Sequence, residues 1–178
     1  MLNYSEGDLL RIAKRIHNPK RSFLLVDPLQ AKHMPVSPTQ ALEMMRTLGS
    51  RLAGQYPGVR LVIGFAETAT AIGAVVAQCY GPACVYLPTT REVLPDEEQC
   101  VQFLEEHSHA VEQKLCAWDL DERIQGTETI VFVDDEISTG RTLINIVRQL
   151  RERYPALEGK RLVAASLLDR VCTRRIEL

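Results

Sequence analysis

Short hydrophobic runs alternate along this chain with longer segments in which apolar residues recur at helical spacing. The runs that predict strands cover residues 23–26, 60–65, 83–87, 130–133 and 162–168. They are rich in β-branched and aromatic side chains and lack polar alternation, which is typical of strands covered on both faces. Their alternation with helical segments predicts an α/β fold with a doubly wound, mostly parallel sheet and right-handed crossovers.

Helical periodicity occupies much of the chain between these runs. Residues 5–8 have the Ser-x-x-Asp form of a capping box, and helically spaced apolar residues follow as far as an Asn-Pro pair, which predicts a first amphipathic helix. A Ser-Pro pair at residues 37–38 predicts the start of a second helix. Further helices are predicted over residues 71–79, where small residues dominate, and from residue 143 to a Tyr-Pro pair.

The stretch 129–143 carries the clearest candidate chemistry. Asp134 and Asp135 follow an apolar run at its carboxyl end, where open α/β sheets bind their ligands. The segment Ser138-Thr139-Gly140-Arg141-Thr142 then supplies hydroxyl groups, a glycine and the first N–H groups of a helix, which suit a phosphate. Because carboxylates accept hydrogen bonds from adjacent sugar hydroxyls, the stretch predicts a site for a ribose 5-phosphate unit.

This stretch resembles the phosphoribosyl-pyrophosphate-binding motif of the type I phosphoribosyltransferases, in which an apolar run precedes an acidic pair and a Thr-Gly-x-Thr loop. The resemblance covers most of residues 60–170. It implies that Asp134 and Asp135 contact the ribose hydroxyls and that residues 138–142 hold the 5′-phosphate. The implied reaction is Mg²⁺-dependent displacement of pyrophosphate from ribose C1 by a nitrogen base, with Mg²⁺ bound mainly through the pyrophosphate.

The resemblance also implies an architecture. One domain, residues 1–178, would contain N-terminal helices and a small hood over residues 1–59 and a core over residues 60–170. A homodimer is implied as well. The residues that would bind pyrophosphate through their backbone after the first core strand are Ala66, Glu67, Thr68 and Ala69. A carboxylate repels pyrophosphate unless it points away, meets magnesium or meets the base, so an ordinary strand-to-helix turn remains open here.

Residues 88–126 form a polar and poorly patterned segment that is long for a connector and predicts a flexible lid. Arg91 near its start is suited to reach pyrophosphate oxygens, and a solvated surface arginine is the alternative. Lys32 and His33 lie in a proline-bounded loop that fits either a binding segment or a connector. His107 and His109 have the spacing of a pair on one face of an extended segment, without a visible third metal ligand.

The residues expected near the acceptor base lie at the end of the last predicted strand and in the phosphate-binding segment. Ser-Leu-Leu-Asp-Arg at residues 166–170 resembles the last core strand of purine-type phosphoribosyltransferases, which implies that Arg170 approaches the base, with arginine in place of lysine. Ser138 stands where the 6-oxopurine enzymes carry an aspartate beside the base. Because a hydroxyl is a poor proton acceptor, we expect an orotate-like acceptor rather than hypoxanthine or guanine.

Composition narrows the remaining function classes. The 178 residues are 46% hydrophobic and 25% charged with a net charge of −2, so no global field favours nucleic acid or membrane. The 5 cysteines are widely spaced, which predicts neither disulfides nor zinc and favours a cytoplasmic protein. The alternatives are a regulatory protein that binds phosphoribosyl pyrophosphate or a nucleotide without catalysis, and a phosphohydrolase or pyrophosphokinase relative.

Overall fold

The computed structural model describes residues 4–17, 22–30, 32, 34–95, 100–104 and 111–170. The strands and helices occur in the order α1 (Glu6–Leu9), β1 (Arg11–Lys14), β2 (Phe23–Val26), α2 (Pro38–Gln55), β3 (Leu61–Gly64), α3 (Ala69–Cys79), β4 (Val85–Thr90), β5 (Cys100–Leu104), β6 (Val111–Cys116), α4 (Leu120–Gln125), β7 (Thr129–Ile137), α5 (Arg141–Arg153) and β8 (Arg161–Asp169). None of the helices in these ranges has the length and apolar composition that crossing a bilayer requires.

A six-stranded sheet of order β5-β6-β4-β3-β7-β8 forms the centre of the fold. Strands β4, β3, β7 and β8 are parallel, whereas β6 pairs antiparallel with both β4 and β5. The predicted α/β class with a mostly parallel sheet is therefore confirmed. The predicted helices over residues 38–55, 69–79 and 141–153 are also present, each within about two residues of its expected ends.

Alternate side chains of the central strands enter two separate cores. Val62 and Val131 pack on one face of the sheet among residues of α2 and α3. Leu61 and Phe132 lie on the other face with residues of α4 and α5. All four side chains are at most 1% exposed, which is why these strands show apolar runs rather than alternation. Helices on both faces make the sheet doubly wound, as predicted.

A close contact between β3, α3 and β4 fixes the start of α3. A Cβ atom at Gly64 or Gly73 would lie 2.6 Å from Tyr86 atoms, so only glycine leaves room for that ring. The Tyr86 hydroxyl donates a hydrogen bond to the Thr70 carbonyl at 2.8 Å. Burial raises the pKa of Tyr86 to about 12. The ring thereby holds the first turn of α3 against the carboxyl end of β3.

The N-terminal region differs from the sequence prediction. The capping box forms, with the Ser5 amide donating to Asp8 Oδ2 at 2.8 Å, but α1 ends at Leu9. Residues 11–14 form β1, which pairs antiparallel with β2, so the long amphipathic helix is wrong. The expectation that residues 23–26 join the main sheet is wrong for the same reason, because β1 supplies their backbone partners in a separate two-stranded sheet, called the N-terminal sheet below.

The segment after β4 is more ordered than predicted. Residues 100–104 and 111–116 are strands and residues 120–125 a helix, so the expectation of an irregular segment over residues 88–126 is wrong, whereas its movement as a lid stays a prediction. Polar residues such as Gln113 hid the strand pattern, because they are buried with hydrogen-bond partners inside the protein. The antiparallel register also places Cys100 opposite Cys116, and these form a disulfide.

This disulfide contradicts the expectation of unpaired cysteines. The 16-residue separation of Cys100 and Cys116 matches no recognisable spacing motif, and only the strand register brings them together. The disulfide removes the cysteine-based argument for a reducing compartment, and the compartment stays a prediction. Cys79 and Cys84 are free cysteines.

Strand β7 extends past the point where its neighbour stops. The β3 pairing ends at Val133, whereas the β8 pairing continues to Ile137, so the expectation that the strand ends at Asp134 is wrong. Beyond residue 133, β7 keeps β8 on one side and loses β3 on the other. This difference in strand length opens a space beside Asp134 and Asp135, where the chain after β3 turns into α3.

Candidate active site

A cleft of about 840 Å³ lies at the carboxyl ends of the parallel strands. Each of these four strands sends at least one predicted site residue into it. The predicted residues that line the cleft are Ala66, Glu67 and Thr68 after β3, Arg91 after β4, Asp134, Asp135, Ser138, Thr139 and Thr142 in or after β7, and Arg170 after β8. The sequence therefore identified residues that are far apart in the chain and share one cleft.

The phosphate loop, residues 138–142, forms a second and smaller pocket of about 50 Å³ with its neighbours in β7 and α5. Gly140 and Arg141 line this pocket rather than the larger cleft. Gly140 has a φ of 71°, a left-handed conformation that favours glycine, and its carbonyl accepts the Ile144 amide at 2.9 Å. The first amides of α5 thus border a pocket of the size and polarity that a phosphate needs.

Asp134 is partly buried near the end of β7. Burial raises the pKa of its carboxyl group from 3.8 to about 7. The Asp135 amide donates to Asp134 Oδ1 at 2.8 Å, and this hydrogen bond opposes the effect of burial. A carboxyl group with this environment accepts or donates a hydrogen bond near neutral pH at little cost, which suits a sugar hydroxyl.

Asp135 already has a cationic partner. Lys32 Nζ lies 2.6 Å from Asp135 Oδ2, and Gln30 Nε2 donates to the Asp135 carbonyl at 3.3 Å. Both residues belong to the segment between β2 and α2, so the N-terminal part of the chain reaches over the carboxyl end of β7. The sequence left Lys32 open between ligand contact and connector, and the structure places it in the cleft. Its neighbour His33 lies outside the described residues.

The anion loop, residues 66–69, is held by a buried network that the sequence did not reveal. The Ala66 amide donates to Thr89 Oγ1 at 2.7 Å and to Gln113 Oε1 at 3.2 Å, and the Thr89 hydroxyl donates to the same Gln113 oxygen. The Ala66 N–H is therefore committed to the protein and not to a ligand. The Ala66-Glu67 peptide bond is cis. Ala69 is fully buried as the first residue of α3 and lies outside the cleft lining.

An ion pair lies in the part of the cleft that the sequence predicts for the acceptor base. Arg170 Nη1 lies 3.1 Å from Glu136 Oε1, and both side chains line the cleft. Residues 22–25, in and just before β2, line the same cleft, and Phe23 there is 55% exposed. Glu136 was not singled out from the sequence. Had β7 been extended beyond Asp134, its period of two would have placed Glu136 on the same face as Asp134.

Of the remaining predicted residues, one lines the cleft and two lie outside the described residues. Arg91 lines the cleft from just beyond β4 and is exposed. His107 and His109 lie outside the described residues. Within the described ranges, no group of three or more His, Cys, Asp and Glu side chains is arranged to hold a metal ion.

Comparison with known protein families identifies the family of this chain. A family model described as phosphoribosyl transferase matches residues 9–177. The chain belongs to this family. This phosphoribosyltransferase matches no curated protein sequence. The type I resemblance inferred from residues 129–143 is thereby confirmed at the level of the family, whereas the orotate-like subtype stays a prediction.

Solved structures with the same fold include several purine phosphoribosyltransferases. Adenine phosphoribosyltransferase from Saccharomyces cerevisiae, complexed with an imino-altritol bisphosphate and adenine, has 15% identity and a TM-score of 0.58, over 90% of this chain and 84% of that one. The Trypanosoma brucei enzyme, with AMP, pyrophosphate and ribose-5-phosphate, has 13% identity and a TM-score of 0.57, over 90% and 76%.

A hypoxanthine-guanine phosphoribosyltransferase from Bacillus anthracis is similar to a lesser degree. It has 16% identity and a TM-score of 0.51, over 83% of this chain and 76% of that one. At these identities the likeness establishes the fold of this phosphoribosyltransferase and not its acceptor base.

Proposed function

We propose that the protein binds phosphoribosyl pyrophosphate in the cleft and transfers the phosphoribosyl group to a nitrogen base, with release of pyrophosphate. The observation that carries this proposal is that a carboxylate suited to accept hydrogen bonds from a sugar diol lies beside a pocket suited to a phosphate. Asp134 lines both the large cleft and the small pocket formed by residues 136–143. A ligand with hydroxyls on the aspartates and a phosphate at the start of α5 has the shape of ribose 5-phosphate.

In this reaction the bond from ribose C1 to the pyrophosphate oxygen breaks, and its electron pair leaves with pyrophosphate. The lone pair of a base nitrogen forms the new bond to C1. The chain contributes chiefly by position: Asp134 and Asp135 fix the sugar, and residues 138–142 fix its phosphate. Arg91, Glu67 and Thr68 line the cleft, and we assign the Arg91 side chain and the two backbone amides the role of stabilising charge on the leaving group. Neither aspartate needs to carry a proton.

The side chains of the cleft fit a magnesium ion bound mainly through the substrate's pyrophosphate. Carboxylates of Glu67, Asp134 and Asp135 line the cleft, and oxygen ligands of this kind suit Mg²⁺, which retains several waters. The ion supplies neutralisation of the negative charge that gathers on the leaving group. Contact with Mg²⁺ gives the Glu67 carboxylate a function beside pyrophosphate, which it would otherwise repel.

The acceptor base is proposed to lie between Arg170 and the N-terminal sheet. Ser138 lines the cleft where an aspartate would be needed to take a proton from a 6-oxopurine, so we expect hypoxanthine and guanine to be poor acceptors. Orotate is our expected type of acceptor. Adenine belongs in the same panel because it is bound in the yeast relative. The homodimer implied by the sequence stays a prediction.

Two measurements test the proposed function. Calorimetry with phosphoribosyl pyrophosphate and Mg²⁺ should show binding, and failure to bind at millimolar ligand would contradict the site. Pyrophosphate release should then be assayed against a panel of bases. If phosphoribosyl pyrophosphate binds and no base in the panel causes release of pyrophosphate, the regulatory alternative is favoured.

A further inference from the structure

The contact between Lys32 and Asp135 has a consequence for the proposed phosphoribose site, and the inference below rests on that proposed function. Lys32 Nζ approaches Asp135 Oδ2 at 2.6 Å, which is a short charge-assisted contact. The Asp135 side chain is only 14% exposed, whereas that of Lys32 is 38% exposed. The ammonium therefore covers a carboxylate that has little other access to the cleft.

The ammonium occupies one of the two oxygens of a carboxylate that a sugar diol would also use. Asp134 Oδ1 already accepts the Asp135 amide, and Asp135 Oδ2 already accepts Lys32. A hydroxyl that arrives at Asp135 must displace the lysine or share its acceptor. Displacement breaks a short ion pair, and a new anionic partner for the ammonium offsets part of that loss.

We propose that Lys32 is a specificity-determining residue that competes with the ribose diol for Asp135. A phosphate or pyrophosphate group in the cleft gives the displaced ammonium a new partner, and a neutral riboside does not. The flexible four-carbon stem of lysine permits such a move within the cleft that it already lines. Lys32 thereby lowers the affinity of Asp135 for the diol.

A cycle of two ligands and two proteins isolates this competition from simple charge attraction. Ribose 5-phosphate and 2-deoxyribose 5-phosphate carry the same charge, and they differ by one of the hydroxyls that would meet the aspartates. The ratio of their dissociation constants therefore measures hydroxyl recognition, because long-range attraction to Lys32 cancels. We expect this ratio to rise about three- to tenfold in Lys32→Met relative to the unmodified protein, the usual strength of one hydrogen bond.

Two further variants serve as controls. Lys14→Met removes a positive charge from the N-terminal sheet at an exposed residue outside the cleft lining, and should leave the ratio unchanged. Lys32→Arg keeps a cation at the position and should keep a ratio close to that of the unmodified protein. Circular dichroism and thermal melting of each variant establish that the fold is retained.

The outcomes separate this proposal from the proposed function. An equal ratio in the unmodified protein and in Lys32→Met, with measurable binding of both ligands, overturns competition by Lys32 and leaves the phosphoribose site in place. A lower ratio in Lys32→Met also overturns it, since Lys32 would then help to hold the diol. If neither sugar phosphate binds to either protein, the phosphoribose site itself is wrong, and both proposals are overturned.

Discussion

Replacing Asp134 with asparagine should stabilise the protein while weakening its proposed function. Burial raises the pKa of the Asp134 carboxyl group from 3.8 to about 7. The folded protein therefore keeps a proton between about pH 4 and pH 7 that the unfolded chain has released. Since the folded state binds more protons in this window, the free energy of unfolding falls as pH rises through it, and the loss is complete above about pH 7.

The size of the effect follows from the displacement of the pKa. A rise from 3.8 to about 7 corresponds to about 4 kcal/mol between the two protonation states. Asparagine cannot ionise, and its carbonyl oxygen can still accept the Asp135 amide that now donates to Oδ1. Asp134→Asn should therefore exceed the unmodified protein in stability by about 4 kcal/mol at about pH 8.5 and by less than half of that at about pH 5.

Urea unfolding of both proteins across this pH range measures the difference. Asp121→Asn is a matched control, because Asp121 is an exposed carboxylate in the first turn of α4. That variant should lack the gain in stability at high pH that burial predicts for Asp134→Asn. If the curve of Asp134→Asn is parallel to that of the unmodified protein, Asp134 is ionised in the folded state, and the argument from burial is refuted. Sugar phosphate binding should weaken in Asp134→Asn alone.

The other predictions concern ligand affinity, acceptor choice and the disulfide. Asp135→Asn should weaken phosphoribosyl pyrophosphate binding by about 1–3 kcal/mol by calorimetry, the range for a hydrogen bond to a charged group, and an unchanged affinity would remove Asp135 from the site. Ser138→Asp should gain turnover of hypoxanthine in the pyrophosphate assay, whereas efficient turnover by the unmodified protein would contradict the role given to Ser138. Reduction of the Cys100–Cys116 disulfide should lower the free energy of unfolding by about 3 kcal/mol, from loop closure over 16 residues. The doubly serine-substituted protein should be insensitive to reductant, and any remaining response to it would point to another cause.

The parallel core was predictable because each of its strands can be recognised from its own residues. Val62 and Val131 enter one core while Leu61 and Phe132 enter the other, and burial on both faces produces the apolar runs seen in the sequence. The phosphate loop was predictable for a related reason, since its hydroxyls and Gly140 act through local backbone geometry. Such features depend on residues close in sequence, and a single chain displays them directly.

The features that were missed depend on pairing between distant segments. Strand β1 was mistaken for helix because the apolar residues near Ile12 fit either period, and only pairing with β2 decides between them. Glu136 was overlooked because the extension of β7 depends on β8 beside it. Cys100 and Cys116 meet through strand register, which sequence spacing does not encode.

The buried link between Ala66, Thr89 and Gln113 constrains how relatives of this protein can diverge. Gln113 is 3% exposed and reaches the Ala66 amide from β6, across two connections that begin after β4 and β5. Insertions or deletions in these connections leave the link intact as long as the register of β6 against β4 is kept. Substitution of Gln113 removes one of the two acceptors of the buried Ala66 amide and the acceptor of the Thr89 hydroxyl. Among homologues, we therefore expect connection lengths to drift freely while residues 89 and 113 change only together.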